Sequence, residues 1–177
     1  RVPVSNLVGP ENAGWTLITS QLNHERIVLA IPGFAETVFE DVWGWACEAS
    51  GPGGGRMIDE QWVQIQLARV QAKLQALKVL NWRSAWALSE GVPGMAEASA
   101  MKVMGSEFFV ECQNLLLEIT GSAGLVMEGE PAALFDGKLE GAYRSATTFT
   151  FGGGVNEVQR DIIAMAGLGM PRARPRA

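Results

Sequence analysis

The stretch IDEQWVQIQLARVQAKLQALKVL, residues 58–80, decides the fold. Val63, Leu67, Val70, Leu74, Leu77 and Leu80 recur at steps of three or four, with Gln, Arg and Lys between them. That spacing puts the apolar side chains on one face of a helix and the polar ones on the other. The pattern predicts a helix from about Ile58 to Leu88. Glycine and proline punctuate both sides: Ser50-Gly51-Pro52-Gly53-Gly54-Gly55 before it and Gly91-Val92-Pro93-Gly94 after it. Upstream, Leu17, Ile18, Leu22, Ile27, Val28 and Ile31 belong to a helical run from Trp15 to Glu48. Pro32 lies inside that run and predicts a bend near Ala30–Gly33. Downstream, a third helix is expected from Met95 to Ile119, with Val103, Phe108, Val110, Leu115 and Leu116 buried. Residues 125–137 read as loop. A fourth helix is expected over Lys138–Phe149 and a fifth over Asn156–Ala166. Residues 1–12 read as a short extended piece and a turn. Long amphipathic helices with short breaks specify an all-α, antiparallel bundle.

The chain has 177 residues, enough for one domain with a sizeable core. Its net charge of −5 argues against general nucleic-acid binding. The basic run Arg172, Arg174 and Arg176 reads as a frayed or partner-packed end. Two cysteines, Cys47 and Cys112, form no disulfide framework and lie in no metal-like cluster, so no metal is expected and the location is read as cytoplasmic. No signal peptide is evident, and no apolar run reaches membrane-spanning length. The six tryptophans read as core or interface anchors.

Near the C-terminus stands Gly152-Gly153-Gly154-Val155-Asn156-Glu157-Val158-Gln159-Arg160-Asp161-Ile162-Ile163-Ala164, closing on Leu168-Gly169-Met170-Pro171-Arg172. Three glycines permit a tight turn and close approach to a ligand. Asn156 is a candidate cap for the helix that follows. A glycine loop feeding a helix N-terminus suits an anionic or carbonyl-bearing ligand. A plain turn between helices explains the same residues without any ligand.

These residues resemble the C-terminal signature of flavin-dependent acyl-CoA dehydrogenases, E/G-G-T-x-E/Q-I-Q-R-x-I-I-A…L-G-L-P-R. Val2-Pro3-Val4-Ser5-Asn6-Leu7-Val8-Gly9-Pro10-Glu11-Asn12-Ala13-Gly14-Trp15 is similar to the family's V-P-x-x-N-x-x-G-x-E-x-x-G-W. Leu22-Asn23-His24-Glu25-Arg26-Ile27-Val28-Leu29-Ala30 resembles the first helix of its C-terminal domain. The motifs stand in family order at both ends of the chain. The resemblance implies a four-helix bundle with a short extra C-terminal helix over residues 13–177. It implies that residues 1–12 are the last strand of a middle β-domain that is otherwise missing here, as is an N-terminal helical domain.

The implied reaction is α,β-dehydrogenation of an acyl-CoA with FAD. It needs a base for the α-proton and hydrogen bonds to polarise the thioester carbonyl. Most of the family places a Glu immediately before the Gly-Thr of the glycine loop. Aligning Gln159-Arg160 puts Gly153 there, so that carboxylate is absent. The isovaleryl- and long-chain-type members instead keep the base on the first bundle helix, in a sequence like L-x-x-E-R. Here Glu25 occupies that position. Read without the resemblance, Glu25 is a solvated helical carboxylate paired with Arg26 or another cation. The resemblance also implies that Arg26 organises the site, that the Gly153 N–H bonds the thioester carbonyl, and that Asn23 meets the pantetheine arm. His24 reads as packing or surface.

For FAD, the resemblance points to Gly154, Val155 and Glu157 on the loop. It also points to Glu118, Gly121 and Ser122, within Glu118-Ile119-Thr120-Gly121-Ser122-Ala123-Gly124, similar to the family's Q-x-x-G-G-x-G that touches a neighbouring subunit's FAD. Several positions depart from the family: Val155 replaces Thr, Glu118 replaces Gln and Ser122 replaces Gly. The expected arginine-phenylalanine-glycine contact is lost near residues 47–57, with Arg56 out of register. Bacterial relatives acting on steroid side-chain CoA esters resemble this arrangement, and their unlike subunits share each flavin. The implied partners are an acyl-CoA, a homo- or hetero-oligomer expected to be a tetramer, and electron-transfer flavoprotein or another acceptor. Small residues Ala30, Gly33 and Ala35 suit either a roomy pocket or close helix packing. The rival functions are a catalytically silent subunit completing a partner's FAD site, and an acyl-CoA oxidase.

Overall fold

The computed structural model of the protein describes residues 1–28, 30–90 and 94–172, with their side chains except those of Asn23 and Val28. Among the described residues there are six α-helices: α1 (Gly14–Val28), α2 (Gly33–Glu48), α3 (Gln61–Ser89), α4 (Met95–Thr120), α5 (Lys138–Ala146) and α6 (Asn156–Ile162). Short 3-10 turns fill the connections, and α6 runs on into a π-helical turn, Ile163–Gly167. The helical run expected from Trp15 to Glu48 divides at Pro32, the cap residue of α2. Proline is tolerated there because the first N–H groups of a helix have no intrahelical partner. The break at residues 91–93 lies outside the described residues, as do Leu29, Arg174 and Arg176.

Helix α4 is the centre of the bundle and packs against α1, α2, α3, α5 and α6. Met101, Gly105, Phe108, Phe109, Cys112, Leu116 and Ile119 are all buried along it. A helix apolar on all sides belongs in the interior. Val103, Phe108 and Leu116 are buried as expected, whereas Val110 and Leu115 are half-buried at its margin. Helix α3 presents one stripe, Val63, Leu67, Val70, Leu74 and Leu77, and Leu80 packs partly buried beside it. This is the face that the spacing of residues 58–80 predicts.

The bend between α1 and α2 is held onto α4 by two small residues. A Cβ added to Gly105 would lie 2.6 Å from Ala30 Cβ and 2.9 Å from Ala30 Cα. Ala30 and Ala35 are fully buried, so they serve close helix packing and not a roomy pocket. A Gly105→Val substitution should therefore overpack this contact, at a cost of about 1–3 kcal/mol. The denaturation midpoint of the full-length protein should fall, and Ala30→Gly should restore part of the loss. An unchanged midpoint would contradict the packing argument.

Two expectations need correction. Residues 1–12 form no strand; Val4–Asn6 is a 3-10 turn and the segment is exposed. A strand requires a neighbour to pair with, and the described residues offer it none. Asn156 does not cap α6. Val155 holds the cap position with no side-chain cap bond, while Asn156 is 5% exposed and turns inward to buried partners. Of the tryptophans, read as core or interface anchors, Trp45 packs partly buried against the core, and Trp15, Trp43, Trp62, Trp82 and Trp86 are exposed.

Candidate functional site

The glycine loop joins the 3-10 turn Thr147–Thr150 to α6. Gly152 N–H donates to Thr148 O (2.9 Å) and Gly154 N–H to Phe151 O (3.1 Å). The Gly153 carbonyl accepts from Arg26 Nε (3.3 Å) and from Gln159 Nε2 (3.4 Å). The peptide between Gly153 and Gly154 is thus pinned at both ends. The Gly153 N–H, by contrast, has no partner among the described residues. Gly153 and Gly154 adopt φ of +68° and +103°, backbone that favours glycine. At Gly154 a Cβ would also stand 2.6 Å from Gln159 Nε2. The loop therefore keeps its shape through its own bonds and leaves the Gly153 N–H at its centre without a partner among the described residues.

Arg26 brings α1 to this loop. It sits in the last turn of α1 and is 9% exposed. Burial holds its guanidinium below the usual arginine value, with neighbouring Glu25 acting in the opposite sense. Glu25 is exposed and forms no ion pair or hydrogen bond among the described residues. The exposed carboxylate matches the solvated half of the alternative reading of Glu25; its pairing with a cation takes no hydrogen-bonded form among the described residues, and Glu25 acts on Arg26 through space. His24 is exposed and its Nδ1–H donates to the Ser20 carbonyl (2.8 Å), a surface role as expected. The side chain of Asn23 lies outside the described residues.

Beneath the loop lies a polar cluster that sequence reasoning missed. Lys102 Nζ donates to Thr150 O (2.7 Å) and to Asn156 Oδ1 (2.6 Å). Asn156 Nδ2 donates to Ser106 Oγ (3.0 Å) and Glu107 Oε1 (3.4 Å), and Arg160 meets the same carboxylate oxygen at 2.6 Å. Lys102, Ser106 and Asn156 are all buried. The one signal in the sequence was Lys102 followed by Ser106, a polar pair one turn apart within the long, mostly apolar run Met95–Ile119.

The FAD candidates fall into two separate groups. Gly154, Val155 and Glu157 are exposed at the loop. Glu118, Gly121 and Ser122 are exposed at the opposite end of α4. From Lys102, which touches the loop, to Gly121 is nineteen residues of helix, roughly 28 Å at about 1.5 Å per residue. Glu118 Oε2 accepts from Gln66 Nε2 (2.7 Å), an amide and not a cation. Arg56 is engaged with Asp59 (2.9 Å) within its own turn. The structure thus joins Arg26 to Gly153, with Glu25 next to Arg26 in the chain and exposed, and leaves Glu118, Gly121 and Ser122 apart from them.

An apolar cavity of about 510 Å³ opens between the start of α2, α4 and α5, lined by Ile31, Phe34, Phe109, Ala142 and Phe149. Gln113 also lines it, and its buried Oε1 has no partner. Both cysteines are free, and burial pushes the Cys112 thiol up to about 12. Among the described residues no group of His, Cys, Asp and Glu is arranged to hold a metal ion, and no helix is long and apolar enough to cross a membrane.

A helical bundle with a Glu-Arg pair on its first helix set against a glycine loop defines a class, and comparison with known proteins names it. The family described as "Acyl-CoA dehydrogenase, C-terminal domain" matches residues 12–168, and the chain belongs to the acyl-CoA dehydrogenase family. It is 48% identical over 176 residues to acyl-CoA dehydrogenase FadE26 of Mycobacterium tuberculosis, covering 98% of this chain and 44% of that protein. Among solved structures, the ChsE4-ChsE5 complex from Mycobacterium tuberculosis contains a chain 49% identical, with a TM-score of 0.89 and coverage of 98% and 44%. The Tcur3481-Tcur3483 steroid ACAD contains one 44% identical, again with a TM-score of 0.89 and coverage of 98% and 44%. The chain thus spans less than half the length of these relatives.

Proposed function

We propose that the full-length protein is an FAD-dependent acyl-CoA dehydrogenase with Glu25 as the α-proton base. The observation that carries this reading is the junction of α1 with the glycine loop. The Arg26–Gly153 bond ties the loop to α1 at the residue after Glu25, and the Gly153 N–H has no partner among the described residues. Glu25 takes the α-proton of a bound thioester. The Gly153 N–H donates to the thioester carbonyl, where negative charge builds as that proton leaves. Arg26 fixes the loop through the Gly153 carbonyl and so keeps that N–H aimed outward. FAD, when bound, accepts the β-hydride.

The fit to FAD rests on two exposed edges. Gly154, Val155 and Glu157 offer an open backbone edge at the loop, and Gly121 and Ser122 offer a second at the far end of α4. Separated by about 28 Å of helix, they suit two different flavins, each shared with another subunit. Glu118 beside a diphosphate is unfavourable without a cation, and only the Gln66 amide meets it. That favours unlike subunits, in which this chain contributes the loop edge and its far edge is spent. The two solved relatives are themselves complexes of two named proteins, one described as a steroid ACAD. A bulky steroid side-chain CoA ester is the substrate class we favour, in a tetramer in a reducing cytoplasm, with electron-transfer flavoprotein or another protein as acceptor.

Exposed apolar surface supports an assembly. Val79 (58%), Trp82 (70%) and Trp86 (66%) lie three and four residues apart on one face of α3. Such a face marks an interaction surface. Sedimentation of the full-length protein should show an oligomer at micromolar concentration, and a folded monomer there would refute this.

The function itself is tested by anaerobic mixing with steroid side-chain and straight-chain acyl-CoA esters. Bleaching of the flavin is expected, fastest with the bulky ester. No reduction by any ester would leave the chain as a silent subunit. Rapid reoxidation by oxygen alone would make the protein an oxidase.

A further inference from the structure

The least explained group in the molecule is Lys102. It is 1% exposed and forms no ion pair among the described residues. Lysine is almost never fully buried unless it is paired. Its ammonium instead meets two neutral acceptors, Thr150 O and Asn156 Oδ1, one on each side of the glycine loop. If packing α4 were the only requirement, an apolar side chain of similar volume would do it without the cost of burying a charge. The charge therefore has a use at the place where it is held.

We infer that Lys102 is a positioning residue for the glycine loop: it ties both ends of the loop to α4 and holds a fixed positive charge at the base of the loop that carries the Gly153 N–H, favouring the enolate of a bound thioester. This rests on the acyl-CoA reading. Thr150 precedes the loop and Asn156 follows it, so one ammonium closes residues 151–155 like a clasp. Ser106 Oγ lies within hydrogen-bond distance of both ends of the Asn156 amide, so the Lys102 ammonium, which can only donate, sets which end faces it. The charged groups around Lys102 are Arg26 from α1, Glu107 on its own helix and Glu157 from α6. Glu107 is engaged by Arg160. Burial, and then the nearness of Arg26, push the Lys102 ammonium down from its usual value. Two cations thus converge on the loop, Arg26 at the Gly153 carbonyl and Lys102 at the loop's two ends. A positive charge held in a low-dielectric interior acts strongly on an anion forming nearby, and it need not reorganise as the anion forms.

The test uses the full-length, FAD-loaded enzyme and a 3-thia acyl-CoA. This analogue loses its α-proton but cannot pass on a β-hydride, and its enolate against the flavin absorbs at long wavelength. Titrating that band with pH reads the acidity of the bound α-proton. Lys102→Gln keeps a hydrogen-bond donor and removes the charge. The bound α-proton should become about tenfold less acidic, a shift of about one pH unit. Flavin reduction by substrate should slow by a similar factor per flavin, while affinity for the un-ionised analogue stays close to wild type. Asn156→Asp sets a carboxylate against Lys102 without emptying the pocket and should shift the band in the same direction. It decides the matter if Lys102→Gln does not fold. Wild-type acidity in Asn156→Asp, or in a folded Lys102→Gln, overturns the inference alone. A wild-type enzyme that never ionises the analogue overturns the acyl-CoA reading and this inference together.

Discussion

Glu25→Gln should slow flavin reduction by acyl-CoA about 10²–10⁴-fold, the range that a positioned base contributes. The substitution keeps the size of the side chain and removes its basicity. Glu25 makes no ion pair or hydrogen bond among the described residues, so no structural bond is lost and the fold should stand. Substrate binding should survive for the same reason. The loss should appear in the rate of flavin bleaching and not in the concentration of acyl-CoA that half-saturates it. Moving the base makes the argument sharper. Glu25→Gly combined with Gly153→Glu transfers the carboxylate from α1 to the loop, where most of the family keeps it. Part of the rate should return. The recovery is limited because a residue with a Cβ at a φ of +68° is strained by roughly 1–2 kcal/mol. If Glu25→Gln bleaches the flavin at the wild-type rate, the base belongs to a partner chain and this protein is the silent subunit.

The architecture and the two elements of the α1–loop junction were legible in the sequence for different reasons. Periodicity located α3 and α4 closely, since a helix that buries one stripe must repeat it every turn. Proline located the α1–α2 bend, because its missing N–H is tolerated only at a helix start. Glu25 and Gly153 came from motif resemblance, and the structure adds that Arg26 bridges their two elements. The Lys102–Asn156 contact was not legible. Its partners are 54 residues apart and share no local pattern. Asn156 was misread as a cap for the same reason: local rules favour Asn at that point, but a buried ammonium competes for its side-chain oxygen. The tryptophans were ambiguous because a large aromatic suits a core and an interface equally, and only their exposure separates the two.

Gly153→Pro should abolish measurable turnover while leaving helix content intact. The N–H it removes has no partner among the described residues and is the donor assigned to the thioester carbonyl, and losing a donor of this kind typically costs roughly 3–4 kcal/mol, about 10²–10³-fold in rate. Proline also fixes φ near about −65°, whereas Gly153 sits at +68°, so the loop must shift as well. Gly153→Ala separates the two effects. It keeps the N–H and the loop bonds and adds only the strain of a Cβ at positive φ. If the donor is what matters, the alanine variant should retain most of its turnover and the proline variant almost none. If the two lose equally, the shape of the loop, set by Arg26, Gln159 and the Lys102 clasp, outweighs the single hydrogen bond. Wild-type turnover in Gly153→Pro would remove the thioester carbonyl from this N–H altogether, since no proline can supply the missing bond.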